Sequence, residues 1–337
     1  MNFSGISLPH GLMLAPMAGV TDSSMRRLCG LYGAEYAVTE MVSAKALVYE
    51  QNSRPAAPIK TASLCIVKPE EKLPVAVQIF GSEPEFLAEA ARLLSTGTYR
   101  GFSGVMPAAV DINMGCPVRK VVSNGEGSAL MKDPEKIFNI VSAVVKASLL
   151  PVTVKLRAGW DSDSLNAAEC AAAAADAGAA AVCIHARTRE MFYNPGILPE
   201  IIRQVKEKVP VPVFGNGDIT DAQSARALLR ETGCDGLAVA RGALGNPWVF
   251  AEIAAALDGK EYVPPTAAEQ QEAALRLLHW SIEEKGERRG IAEAKFTLGH
   301  FFRGKRGAGA AREALMNAMR QSDIEEIFTS FFGDSNQ

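Results

Sequence analysis

The sequence predicts an α/β fold, a parallel (β/α)8 (TIM) barrel followed by a small all-helical domain, and three observations carry that prediction. Eight short β-branched runs recur at fairly even intervals, helix signals separate most of them, and the strand pattern stops after about Pro247. The runs are Leu12 to Ala15, Tyr36 to Thr39, Val75 to Phe80, Val110 to Asn113, Val152 to Arg157, Ala181 to Ala186, Pro210 to Gly215 and Gly236 to Ala240. Helices are expected from Thr21-Asp22, Glu83-Pro84, Asp133-Pro134, Asp163, Pro199 and Thr220-Asp221. In several of these Asp or Thr stands where an N-cap is needed and Pro where the first helical N–H has no partner. Pro264-Pro265 interrupts the chain before apolar residues return near helical spacing at Ala274, Leu277, Leu278 and Ile282. The expected units are therefore residues 1–262 and 263–337.

Composition sets the outer bounds. A chain of 337 residues, 48% apolar and 22% charged, can bury a large core, which excludes disorder and a disulfide scaffold. The six cysteines are scattered without a CxxC pair, so no metal is expected and a reducing cytoplasm is the simplest compartment. Neither the start of the chain nor the alanine-rich stretch around Ala171–Ala181, broken by Asp176 and Gly178, reads as a signal peptide or membrane span. A net charge of −3 excludes a wholly basic surface and leaves room for a local patch. One is present between Lys285 and Arg312: eight cations (Lys285, Arg288, Arg289, Lys295, Arg303, Lys305, Arg306, Arg312) against Glu287 and Glu293, with Phe301 and Phe302 beside Arg303. That stretch suits a phosphate-bearing partner, Arg303 and Lys305 foremost.

The functional signal is a parity argument. In Val152–Arg157 the valines and Leu156 share one face, so Lys155 and Arg157 face the other, into the barrel. The same count turns Gln78, Asp111, Asn113, His185 and Arg187 inward, late in their strands, at the mouth where barrels of this class do chemistry. Glycine-rich loops follow the last two strands, Gly215-Asn-Gly-Asp218 and Ala240-Arg-Gly-Ala-Leu-Gly245, and suit a phosphate with Arg241 adding charge. Lys155 then stands where an electron-rich ring needs a cation. Cys116, in Asn113-Met-Gly-Cys-Pro117, lies in a loop at the mouth and can act as a proton donor or nucleophile, whereas Cys170, Cys183 and Cys234 sit in apolar runs and read as small core residues.

With these segments in place the chain resembles the tRNA-dihydrouridine synthases, flavin enzymes that reduce selected uridines in tRNA. The resemblance rests on Leu14-Ala-Pro-Met-Ala-Gly-Val-Thr-Asp22, Thr39-Glu-Met-Val-Ser-Ala44, Val77-Gln-Ile-Phe-Gly81, Asp111-Ile-Asn-Met-Gly-Cys-Pro-Val118, Gly127-Ser-Ala-Leu130, Val154-Lys-Leu-Arg157, His185-Ala-Arg-Thr-Arg189, Gly215-Asn-Gly-Asp-Ile219 and Ala240-Arg-Gly-Ala-Leu-Gly-Asn-Pro-Trp248. It implies FMN beside Pro16, Met17 and Ala18, with Gln78 and Lys155 at its polar edge, His185 nearby, and its phosphate on Asn216, Gly217, Asp218, Ala240 and Arg241. It also implies NADPH as reductant, Cys116 as general acid, Asn113 and Arg187 on the uracil, and a C-terminal helical domain that binds tRNA. A monomer is expected. Ala240 and Ala186 replace glycines common in that family, Met191 replaces a frequent glutamine, and Asn194-Pro195-Gly196 is unlike the usual sequence. The implied reaction reduces the uracil C5=C6 bond. The alternatives are a flavin barrel acting on a free pyrimidine, like a dihydroorotate dehydrogenase, and an inactive tRNA-binding relative.

Overall fold

In the computed structural model, residues 1–53 and 59–333 are described. Eight parallel strands close into a barrel: Leu12–Leu14, Tyr36–Val38, Val75–Phe80, Ala109–Asn113, Val152–Arg157, Ala181–His185, Val213–Asn216 and Gly236–Val239. Closure is made by Leu237 pairing with Leu12 and by Ala37 pairing with Val75. A two-residue strand, Val42–Ser43, follows the second strand and pairs with Ile79 and Phe80. The seventh strand starts at Val213, three residues later than expected, because Pro210 and Pro212 have no N–H to give a ladder.

Parity holds around the barrel. Val110, Ile112, Val154, Leu156, Val182, Ile184, Leu237 and Val239 pack outward against the helices, while Met13, Tyr36, Ala76, Ala109, Ala181, Cys183, Phe214 and Ala238 fill the interior. An N-terminal hairpin, Asn2–Phe3 with Ile6–Ser7, plugs the floor. Its two-residue turn, Ser4-Gly5, has φ of 47° and 84°, the left-handed pair that matches strand twist. Phe3 thereby meets Tyr36 and Phe214 edge-on, at 5.5 and 6.2 Å between ring centroids.

The helices start where their caps allow. Asp22 accepts from Met25 N ahead of Ser23–Leu31, and Asp133 accepts from Lys136 N ahead of Pro134–Ala147. Asp221 and Ser224 form a capping box for Ala222–Thr232, and Pro84 and Pro199 open Pro84–Thr96 and Pro199–Lys208. The helix expected from Asp163 begins only at Ala167, Asn166 being held by donation to Met131 O at 2.7 Å.

Beyond the last barrel helix, Val249–Leu257, an irregular stretch that includes residue 263 leads to Ala267–Lys285, Glu287–Leu298, Ala308–Asn317 and Gln321–Gly333. Thr266 and Glu269 form a capping box at the first of these. One apolar core runs through barrel and helices together. At the junction Lys285 bridges Asp22 and Glu293, Lys68 pairs with Glu284 at 2.8 Å, and the Arg27 guanidinium lies 3.9 Å from the centre of the Trp280 ring. Gly245, at the end of the loop after the eighth strand, has φ of +67° and sits so close to His300 that a Cβ would fall 2.4 Å from its carbonyl carbon. Among the described residues, no helix is long and apolar enough to cross a membrane.

Candidate active site

The inward polar residues meet at the C-terminal mouth. Gln78 and Asp111 lie side by side on neighbouring strands, as do Asp111 and Thr153, and Asn113 and Lys155. Thr153 Oγ1 donates to Asp111 Oδ1 at 2.6 Å, Gln78 Nε2 donates to Asp111 Oδ2 at 2.7 Å, and Asn113 Nδ2 donates to Gln78 Oε1 at 2.9 Å. Burial pushes the Asp111 carboxyl up from its ordinary range, against the stabilising donors and the Lys155 charge. Sequence reading misses Thr153 because it looks like an ordinary strand residue, although it shares the parity of Lys155.

Asn113 Oδ1 accepts from Gly115 N and Cys116 N, at 3.2 and 2.9 Å. Arg157 holds the same loop from the other side, its Nε donating to Gly115 O at 2.9 Å while its Nη1 reaches Thr188 O and Phe192 O. Cys116 is half-buried and the other five cysteines are buried. Desolvation raises the Cys116 pKa, against the Val118 amide and the Arg157 charge, so at neutral pH the group is a thiol able to give a proton.

Lys155 Nζ donates to Asn216 Oδ1 at 3.2 Å, and Asn216 is itself anchored through Nδ2 to Ala238 O. Burial lowers the Lys155 pKa. An ammonium has three hydrogens, and this one has a single protein acceptor among the described residues, which leaves donors for a ligand at the mouth. His185 is held well below its ordinary pKa, first by burial and then by Lys155, Arg157, Arg187 and Arg241, so its imidazole is neutral. Arg187 lies 1% exposed between His185, Asn194 O and Asp218 Oδ2, the last at 2.6 Å. Asp218 also accepts from Arg241 at 3.2 Å, so the loops after the sixth, seventh and eighth strands are tied through one carboxylate.

The two glycine loops pack backbone to backbone: a Cβ on Gly242 would lie 2.1 Å from Ile219 O. Ala240 has φ of −113°, so the position makes no demand for the positive φ that favours glycine. Pro16 and Met17 are partly exposed and Ala18 is exposed in the loop after the first strand, where Met17 N donates to Thr21 Oγ1. Exposed Tyr193, which sequence reading passes over, has the Arg157 and Arg241 guanidinium groups 5.5 and 5.4 Å from its ring centre.

A family model described as dihydrouridine synthase matches residues 13–332. The chain belongs to the dihydrouridine synthase family. A probable tRNA-dihydrouridine synthase of Rickettsia conorii is 36% identical over 98% of this chain and 97% of its own length. The tRNA-dihydrouridine synthase B of Pseudomonas aeruginosa is 38% identical over 95% of this chain and 91% of its own. Among solved structures, TcOYE with pHBA superposes with a TM-score of 0.52 at 11% identity, over 80% of this chain and 94% of that one, which bears on the barrel fold alone.

In this family member the basic stretch of the C-terminal helices is partly redirected. Phe301 and Phe302, expected beside the RNA, are 2% and 0% exposed and pack on Phe328 and Phe332 in the helical core. Two adjacent phenylalanines in a helix-closing turn bury more apolar area inward than a solvent-facing platform allows. Lys285 is committed to the junction. Arg303 remains exposed and Lys305 half-exposed. Arg303, Lys295 and Arg312 line a cleft of about 380 Å³ with Phe296, His300 and Met316. Phe296 is 57% exposed and meets the His300 ring at 4.9 Å, so it supplies the accessible aromatic that Phe301 and Phe302 do not.

Proposed function

We propose that this family member reduces the C5=C6 bond of uridines in tRNA to 5,6-dihydrouridine, using FMN and NADPH with Cys116 as proton donor. The observation that carries the reading is a single accessible thiol, kept protonated by burial, at a barrel mouth that also presents the unsaturated Lys155 ammonium. FMN, when bound, supplies the two-electron transfer. The residues present suit it. Lys155 and the remaining donors and lone pairs of Gln78 serve the polar edge of the ring, Pro16, Met17 and Ala18 its side, and neutral His185 its neighbourhood. Asn216, Gly217, Asp218, Ala240 and Arg241 serve the phosphate. Asn113 and Arg187 hold the uracil, and Cys116 gives its proton to C5. A base must leave its stack to reach such a mouth, which requires a protein surface that grips the tRNA. Residues 263–333 carry that surface, with Arg303 and Lys305 on phosphate.

Three measurements test this. Denatured protein is expected to release FMN, and incubation with NADPH and unmodified tRNA to yield dihydrouridine by mass spectrometry; release of FAD, or turnover of free pyrimidine but not tRNA, rejects the assignment. Separately, Arg303→Ala with Lys305→Ala is expected to weaken tRNA binding and to flatten its dependence on log salt by about 1.5, at ~0.7 to 0.9 per lost phosphate contact. Flavin content and NADPH oxidation should not change. An unaltered slope moves the RNA surface to exposed Arg119 and Lys120 at the mouth.

A further inference from the structure

Asn and Gln side chains have nearly the same shape when their amides are turned over, so packing alone does not decide which end points where. In this barrel the decision is made at one buried atom set. The Asp111 carboxylate is an acceptor at both oxygens, taking Thr153 Oγ1 on one and Gln78 Nε2 on the other. With its NH2 committed to Asp111, Gln78 presents Oε1 to the next layer, and Asn113 answers with Nδ2. Asn113 Oδ1 is therefore left facing the loop, where two backbone N–H groups, of Gly115 and Cys116, converge on it. A reversed Asn113 would aim an NH2 group at two N–H donors and leave both without an acceptor. Arg157 Nε fixes the carbonyl of Gly115, so this one peptide is gripped on both sides.

We propose that Asp111 is a positioning residue for the reducing step: through Gln78 and Asn113 it sets the hydrogen-bond polarity that holds the backbone of Cys116. Asp111 lies two residues below Asn113 on its strand, 4% exposed, and reaches the loop of Cys116 only through Gln78 and Asn113. The inference rests on Cys116 acting as proton donor, and its test separates the two.

The test is a polarity swap in the full-length holoenzyme. Asp111→Asn keeps the shape but offers either an oxygen or an NH2 to Gln78, because the Thr153 hydroxyl can donate or accept in turn. It is expected to slow tRNA-dependent reoxidation of pre-reduced flavin by about 10- to 100-fold, the cost of a misplaced reacting group. Because Asp111 also holds Gln78, assigned above to the polar edge of the flavin, flavin content and the rate of flavin reduction by NADPH are measured alongside and are expected to change far less than the tRNA-dependent step. Asp111→Asn combined with Gln78→Glu has the same atoms in outline and the same net charge, with the acceptor-only group moved from the fourth barrel strand to the third. The introduced amide then donates to the introduced carboxylate, Asn113 again donates to that carboxylate, and Asn113 Oδ1 again faces the loop. Per bound flavin, this double variant is expected to recover most of the lost rate.

A readout independent of the reaction is alkylation of Cys116 by iodoacetamide, followed by peptide mass spectrometry; the other five cysteines are buried. Asp111→Asn should change that rate several-fold and the double variant should restore it. If Asp111→Asn does not fold, a double variant that folds and transfers supports the polarity argument, and one that does neither overturns it. Wild-type transfer and wild-type alkylation in Asp111→Asn, or a double variant no better than the single one, also overturn it. Full tRNA reduction by Cys116→Ala would reject the proton-donor reading while the alkylation series still judges the relay.

Discussion

Replacing Cys116 by alanine is expected to leave a yellow protein that oxidises NADPH in air but reduces tRNA 10²- to 10⁴-fold more slowly, roughly the range for a positioned general acid. Among the described residues no hydrogen bond joins the thiol to Lys155, Gln78 or the glycine loops, whose bonds run to Asn216, Asp111, Asn113 and Ala238, so those that serve the flavin stay when it goes. Its amide bond to Asn113 and its carbonyl, which accepts from Ser128 N and Oγ, belong to the backbone and survive the substitution. The pH profile of the same step carries the sign. A donor must be protonated, and burial raises this thiol above its ordinary range. The step should therefore hold constant through neutrality and fall only as the pH rises through that raised value. Rapid mixing of reduced flavoprotein with unmodified tRNA measures both; a mutant as fast as wild type, or a wild-type rate that falls already near pH 7, makes Cys116 structural.

Why so much of the mouth is legible in the sequence is a matter of period. A strand alternates faces strictly, so one apolar neighbour on each side is enough to turn Gln78, Asp111, Asn113, Lys155 and His185 inward, and all five are there. What alternation does not encode is partnership. That Arg187 and Arg241 share Asp218, or that Arg157 reaches back to Gly115, depends on loops from different strands meeting in space. Short elements also escape: the N-terminal hairpin has two residues per strand, too few for any periodicity, and only its Ser4-Gly5 turn could signal it. The helix Ala44–Gln51 escapes for want of a strong start signal, its cap being a long 3.3 Å bond from Ala46 N to Ser43 Oγ. Phe301 and Phe302 show the opposite failure. Beside Arg303 in sequence they look like an RNA platform, but adjacency along a chain says nothing about facing, and the fold turns them inward while leaving Phe296 out.

The largest stability effect is expected at a pair remote from the chemistry. Arg26 and Glu71 form a two-pronged ion pair, Nε to Oε2 at 2.6 Å and Nη2 to Oε1 at 2.8 Å, with side chains 3% and 0% exposed. Arg26 also donates to Thr21 O and Ile66 O, and Glu71 accepts from Lys68 N, so the charges are bonded on nearly every side. Removing one partner strands the other charge in the core. Glu71→Ala is expected to cost about 3 to 5 kcal/mol, or roughly 4 to 7 °C in melting temperature for a chain of this length. The loss should reach the site as well, because Thr21, held by Arg26, receives Met17 N and so carries the loop Pro16–Ala18 assigned to the flavin. Lower flavin occupancy is therefore expected at temperatures well below the melt. The paired replacement Arg26→Met with Glu71→Leu removes both charges while keeping volume, and should recover most of the stability but not the hold on Thr21. Calorimetry alongside flavin absorbance separates the two effects; a Glu71→Ala protein melting with the wild type would mean that water reaches the pair and that its burial does not matter to the fold.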